Sequence, residues 1–140
     1  MSFRMITASF LALAFAVPSA FANSLTSKEQ IHCPAITSVQ QAAEQMDTAE
    51  KYGAGYVAYS SNVAFNEKDR PWYVGAANLS ADTTEAALVA GKETVKNISY
   101  KKNEVAMKNE GFYYCLYGNG DVVAITGDFG TRARGMMFKN

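Results

Sequence analysis

The stretch FYYCLYGNGDVVAIT, Phe112 to Thr126, decides the fold. Phe112 to Tyr117 is the strongest strand signal in the chain, a run of aromatic and apolar side chains that suit a pleated surface. Gly118-Asn119-Gly120-Asp121 contains the Asn-Gly pair favoured in tight hairpins, and Val122 to Thr126 is the returning strand. Alternation along the first strand sends Tyr113, Cys115 and Tyr117 to one side and Phe112, Tyr114 and Leu116 to the other. An antiparallel sheet with a covered face follows from this hairpin.

Working outward, Trp72 to Ala77 and Gly55 to Tyr59 read as further strands, with Val63 to Phe65 extending the latter. The polar stretch Asn66 to Pro71 is the turn between them, so these two also form an antiparallel hairpin. Ile98 to Met107 reads as a strand with polar alternation, and Lys108 to Gly111 as the turn that follows. Two segments carry helical spacing. Over Ile36 to Lys51, Val39, Ala42, Ala43 and Met46 recur on one face, and Tyr52-Gly53-Ala54-Gly55 stops that helix. The two glycines of this last segment are too few for a dinucleotide-binding loop. The second helix starts at Asp82, whose side chain and that of Glu85 form a capping pair. Leu88, Val95 and Ile98 give it an apolar stripe, and it ends near Lys96 or Asn97. Residues 23–31 lead into a short turn broken by Pro34. The order predicts an α+β fold: an antiparallel sheet of about five strands, one or two helices on one face, and one disulfide as a staple.

The N-terminus predicts the compartment. Arg4 precedes an apolar run, Met5 to Val17, and Ala20-Phe21-Ala22 has the small-x-small form of a signal-peptidase site. The run falls short of the ~20 residues that span a bilayer. Residues 1–22 are therefore expected to be a signal peptide, residues 23–126 a single domain, and residues 127–140 a loose C-terminal tail. The expected location is exported, periplasmic or secreted, with no membrane span once the signal is removed. An oxidising compartment should join the two cysteines, Cys33 and Cys115. They stand 82 residues apart, and closing such a loop is worth about 4–5 kcal/mol in the chain-entropy model.

Composition narrows the function. With 13 basic and 13 acidic residues the chain has no basic stripe for phosphates, so nucleic acid is not an expected partner. Three Cys and His residues in all, two of them expected in a disulfide, cannot build a four-ligand zinc site. One histidine and no nucleophile motif leave enzyme chemistry poorly supported, so a non-enzymatic role is expected, with a hydrolase-like activity ranked last. Carboxylates at Glu67, Asp69, Asp121 and Asp128 read as solvated loop charges. Asn78-Leu79-Ser80 and Asn97-Ile98-Ser99 match the glycosylation sequon.

The remaining signal is "IHCPAI", Ile31 to Ile36. A disulfide from Cys33 to Cys115 would carry His32 to the side of the sheet that bears Tyr113 and Tyr117. Histidine and tyrosine are both haem-iron ligands, and Trp72 adds a flat apolar surface. His32, Tyr113, Tyr117 and Trp72 are thus the candidate ligand-binding residues. The plain alternative is that His32 is solvated beside a disulfide anchor. The aromatic set from Tyr52 to Tyr73 divides in the same way, between core and an exposed partner surface.

Cys33-Pro34-x-Ile36, the mid-chain Trp72 and Phe112-Tyr-Tyr-Cys-Leu-Tyr117, following a signal peptide, resemble a group of small exported bacterial proteins from intracellular pathogens that includes hemin-binding proteins. The resemblance spans most of the mature chain, and its motifs are short. It implies a compact exported domain stapled by Cys33 and Cys115, with haem as a ligand. It carries over no ligand residue. Two roles are weighed: a binder of hemin or another apolar small ligand, and an interaction module for a host or envelope protein with no small-molecule ligand.

Overall fold

A computed structural model describes residues 29–129. The expected signal peptide and most of the expected tail lie outside the described residues. The fold is α+β. Helix α1 (Ile36–Ala42) runs into a 3-10 turn (Ala43–Gln45), followed by β1 (Thr48–Tyr52), β2 (Gly55–Tyr59), β3 (Phe65–Glu67) and β4 (Arg70–Leu79). Helix α2 (Thr84–Lys96) precedes β5 (Met107–Asn109), β6 (Phe112–Tyr117) and β7 (Val122–Ile125). All pairs are antiparallel, in the order β1-β2-β4-β7-β6-β5, with β3 also paired to β4. The sheet therefore has seven strands, not five.

The two extra strands are β1 and β3. The helix expected over 36–51 ends early, although its apolar set Val39, Ala42, Ala43 and Met46 is buried as the spacing requires. Asp47 then turns the chain: its carboxylate accepts from the Ser61 N–H at 2.9 Å, the Ser61 hydroxyl at 2.5 Å and the Thr48 hydroxyl at 3.0 Å. Burial pushes the Asp47 pKa up, but these hydrogen bonds outweigh it and hold the carboxyl below its usual range. Thr48 to Tyr52 can now pair with β2, and Tyr52 faces Gly55 across a two-residue turn in which Gly53 takes φ +60°. Such a turn matches the twist of its strands and wants glycine at its first position. β3 closes on β4 the same way, with Glu67 opposite Arg70 and both turn residues, Lys68 and Asp69, in the left-handed region.

The strand expected over 98–107 is not regular. Only Lys101 (to Tyr117) and Val105 (to His32) make isolated bridges before β5 begins. Asn103 takes over ladder positions with its side chain. Its Oδ1 accepts from the Leu116 N–H at 2.9 Å, and its Nδ2 donates to the Val105 carbonyl at 2.7 Å.

Both helices pack on one face of the sheet. Val39, Ala42, Met46 and Val95 meet Ala58, Trp72, Val74, Ala76, Ala124 and Tyr117 there. Helix α2 starts one residue later than expected, at an N-cap made by Thr83, whose hydroxyl accepts from the Ala86 N–H at 3.1 Å. Its Gly91 permits close approach, since a Cβ there would stand 2.6 Å from the Ala58 Cβ. The opposite face gathers Val57, Tyr59, Ala77, Val123, Ile125 and Phe129. Phe129 lies past Thr126, the expected domain end, yet it is buried, with its ring 5.1 Å from that of Tyr59. Among the described residues no helix is long and apolar enough to cross a membrane.

Two outcomes follow for stability. Gly91→Ala gains ~1 kcal/mol of helix propensity but forces overpacking that costs roughly 1–3 kcal/mol, so a net loss is expected as a lower urea midpoint. A raised midpoint would show that α2 can lift off the sheet at no cost. Replacing both Cys33 and Cys115 by Ala should lower the unfolding free energy by about 4 kcal/mol, near the loop-closure value. A loss under ~1 kcal/mol in urea titration would mean that the disulfide is not a major staple.

Candidate ligand-binding site at the disulfide end of the sheet

Cys33 and Cys115 are bonded, with Cα atoms 5.6 Å apart. The strip around Cys33 is laid against the irregular 101–106 segment by backbone bonds. The Cys33 N–H donates to the Glu104 carbonyl at 2.8 Å, and the Ala106 N–H to the Ile31 carbonyl at 2.7 Å. The Lys101 ammonium adds a bond to the Cys33 carbonyl at 3.1 Å. His32 is paired to Val105 through its backbone and its residue is exposed. Helix α1 leaves this strip with no cap from its own Ala35 side chain. Glu67 supplies one instead: its Oε2 accepts from the Ala35 N–H at 3.0 Å and its Oε1 from the Ser38 hydroxyl at 2.6 Å. A carboxylate at a helix N-terminus is favoured by the unpaired N–H groups and the dipole.

The four residues singled out in the sequence divide into two pairs. Trp72 and Tyr117 are fully buried. The Tyr117 hydroxyl is committed, donating to the Pro34 carbonyl at 2.7 Å. Burial pushes its phenol pKa up, and the Glu67 and Glu104 carboxylates add to the shift. An axial tyrosine ligand binds as the phenolate, so this phenol is poorly suited to iron. His32 and Tyr113 are accessible, and Arg70 joins them. The Arg70 guanidinium carbon lies 5.8 Å from the Tyr113 ring centroid, and the Lys108 ammonium lies 5.9 Å from the same centroid. Arg70 also lines, with His32, Lys68 and Trp72, a crevice of about 90 Å³ beneath the 29–32 strip. Among the described residues its ion pair is long, 4.0 Å to the exposed Glu29. Glu29 and Glu67 line the crevice too, Glu67 with its oxygens engaged at α1, while Arg70 and Lys108 flank the Tyr113 ring.

Sequence reasoning passed over Arg70 and Lys108 because both sat in stretches read as charged turns. Strand alternation was the available signal. Counted back from Trp72, Arg70 falls on the same face, and a hairpin turn at Glu110-Gly111 sets Lys108 opposite Tyr113. Among the described residues no group of three or more His, Cys, Asp or Glu could hold a metal ion. Comparison of the chain with family models, curated proteins and solved structures finds no match.

Tyr117→Phe separates core from site. It leaves the Pro34 carbonyl without its donor, at a cost of about 1–3 kcal/mol, and should not alter binding at the crevice beside Arg70. The alkaline limb gives a second readout. The folded-state pKa of Tyr117 lies above its unfolded value, so its contribution is full below about pH 10 and declines as pH rises further. Denaturant titrations from neutral to alkaline pH should show a steeper loss for the parent protein than for Tyr117→Phe. Equal slopes would remove Tyr117 as the cause.

Proposed function

We propose that this is a small exported protein that binds a flat, apolar, anionic ligand without turning it over, with hemin as the specific candidate. The observation that carries the reading is the position of Arg70, which lines the crevice beside His32 and stands over the ring of Tyr113 next to Lys108. Hemin offers the complementary groups: a planar apolar macrocycle, carboxylates, and an iron that accepts an imidazole. Arg70 and Lys108 would hold the carboxylates, Tyr113 would lie against the macrocycle edge, and His32 would supply the axial nitrogen. The crevice of about 90 Å³ is far below the ~300–1,000 Å³ that encloses a ligand of this size. The ligand therefore rests on the surface, and moderate rather than tight affinity is expected. The N-terminal apolar run and its Ala20-Phe21-Ala22 end support export, and the disulfide is compatible with an oxidising compartment.

The test is a hemin titration of the oxidised protein followed in the Soret region. A saturable one-to-one shift is expected, and His32→Ala should abolish the shift in band position. Arg70→Ala should keep the band position and weaken binding by about tenfold. Weak, non-saturating absorbance that neither substitution changes would sink the proposal.

A further inference from the structure

A larger cleft lies elsewhere, between the C-terminal end of α2 and the β6–β7 hairpin, with a volume of about 470 Å³. Its floor is apolar and packed: Ile98, Tyr117 and Val122 are all buried. Its rim carries Tyr100, which is 48% exposed for a large ring. That ring is held in place. Its hydroxyl donates to Asn119 Oδ1 at 2.9 Å, and its carbonyl accepts from the Gly118 N–H at 2.9 Å. A fixed aromatic ring at an open cleft loses little entropy on contact with a ligand.

The polar lining is mixed in donors and acceptors and has no cation. Asn119 gives its Oδ1 to Tyr100, so its amide N–H groups remain as donors. Asn97 uses its Nδ2 on the Glu93 carbonyl at 2.8 Å, which leaves its Oδ1 as an acceptor. Asp121 spends one oxygen on the Asn78 amide at 2.9 Å and keeps the other. Glu93 and Ser99 complete the wall. The carboxylates and the negative end of the α2 dipole disfavour an anion here, including hemin. They suit hydroxyl groups, which donate well to carboxylates and accept from amides. Glu93 is exposed and Asp121 half-buried, and at such solvated carboxylates a bare cation gains little.

The geometry points to a second, independent binding site for a neutral saccharide, with the apolar face of a sugar ring on Tyr100 and its hydroxyls on Asn97, Asn119, Glu93 and Asp121. The stack uses the ring's polarisable face, and the polar groups pair with adjacent hydroxyls.

The experiment is an amide-resolved NMR titration of the oxidised protein with maltose, lactose, cellobiose and di-N-acetylchitobiose. At least one is expected to give saturable shifts at Tyr100, Gly118 and Asn119. Tyr100→Ala should weaken that binding by about tenfold, and Tyr100→Phe should retain most of it, since the stack survives. The hemin response of Tyr100→Ala should be unchanged, so failure of either site is read separately. No saturable response from any sugar up to about 50 mM would overturn the inference, because that concentration exceeds even a weak millimolar Kd. So would binding that is equal in Tyr100→Ala.

Discussion

The tie between Cys33 and Cys115 is the constraint on which the rest of the structure depends. It joins the strip before α1 to the middle of β6, across 82 residues. Several weaker bonds are meaningful only once that strip is in place. Pro34 then offers its carbonyl to Tyr117, Cys33 offers its own to Lys101, and Asn103 can reach both the Cys33 sulfur at 3.3 Å and the β6 backbone. The helix cap on α1 belongs to the same assembly, because the Ala35 N–H is two residues from the bridge and its acceptor, Glu67, is on β3. Each of these bonds is worth about 1 kcal/mol alone. Together they replace the regular ladder that segment 98–107 does not make.

β4 does for the sheet what the disulfide does for its edge. Its ten residues pair with β2 and β3 along one side and β7 along the other. Small residues at Gly75 and Ala76 sit where both neighbours pair, and they allow close cover on each face. A Cβ at Gly75 would stand 2.8 Å from the Phe129 ring. The same strand begins at Arg70 and buries Trp72, so the element that organises the core also delivers the cation that organises the proposed hemin site.

What was legible in the sequence was what local pattern controls. The alternation of Phe112 to Tyr117 sorted its side chains correctly: Cys115 and Tyr117 lie in the helix-side cluster, while Phe112, Tyr114 and Leu116 pack on the other. The helical spacing of Val39 to Met46 identified a buried face. What was not legible was decided by contacts outside each segment. Thr48 to Tyr52 contains Ala, Glu and Lys, which favour a helix, and only pairing with β2 and the Asp47–Ser61 bonds make it a strand. Lys68 and Asp69 both occupy left-handed backbone, which Asp tolerates but Lys seldom adopts, so the tightness of the turn was not announced and Arg70 was taken for loop. The Tyr100 cleft was hidden for the same reason, since its walls come from α2 and from a hairpin some twenty residues later.

The arrangement of β6 explains why the two proposed sites should act independently. Its helix-side face carries Tyr113, Cys115 and Tyr117 in succession. Tyr113 belongs to the cationic surface, and Tyr117 floors the neutral cleft. Between them sits a buried disulfide, and at ~3.4 Å per residue the two tyrosines are separated by about 14 Å of paired backbone. A strand paired to β5 and β7, with a covalent bridge near its centre, is held against a second arrangement that a ligand could select. Coupling between sites requires such an alternative state. A ligand at one end would therefore leave the affinity at the other unchanged as long as Cys33 and Cys115 stay bonded.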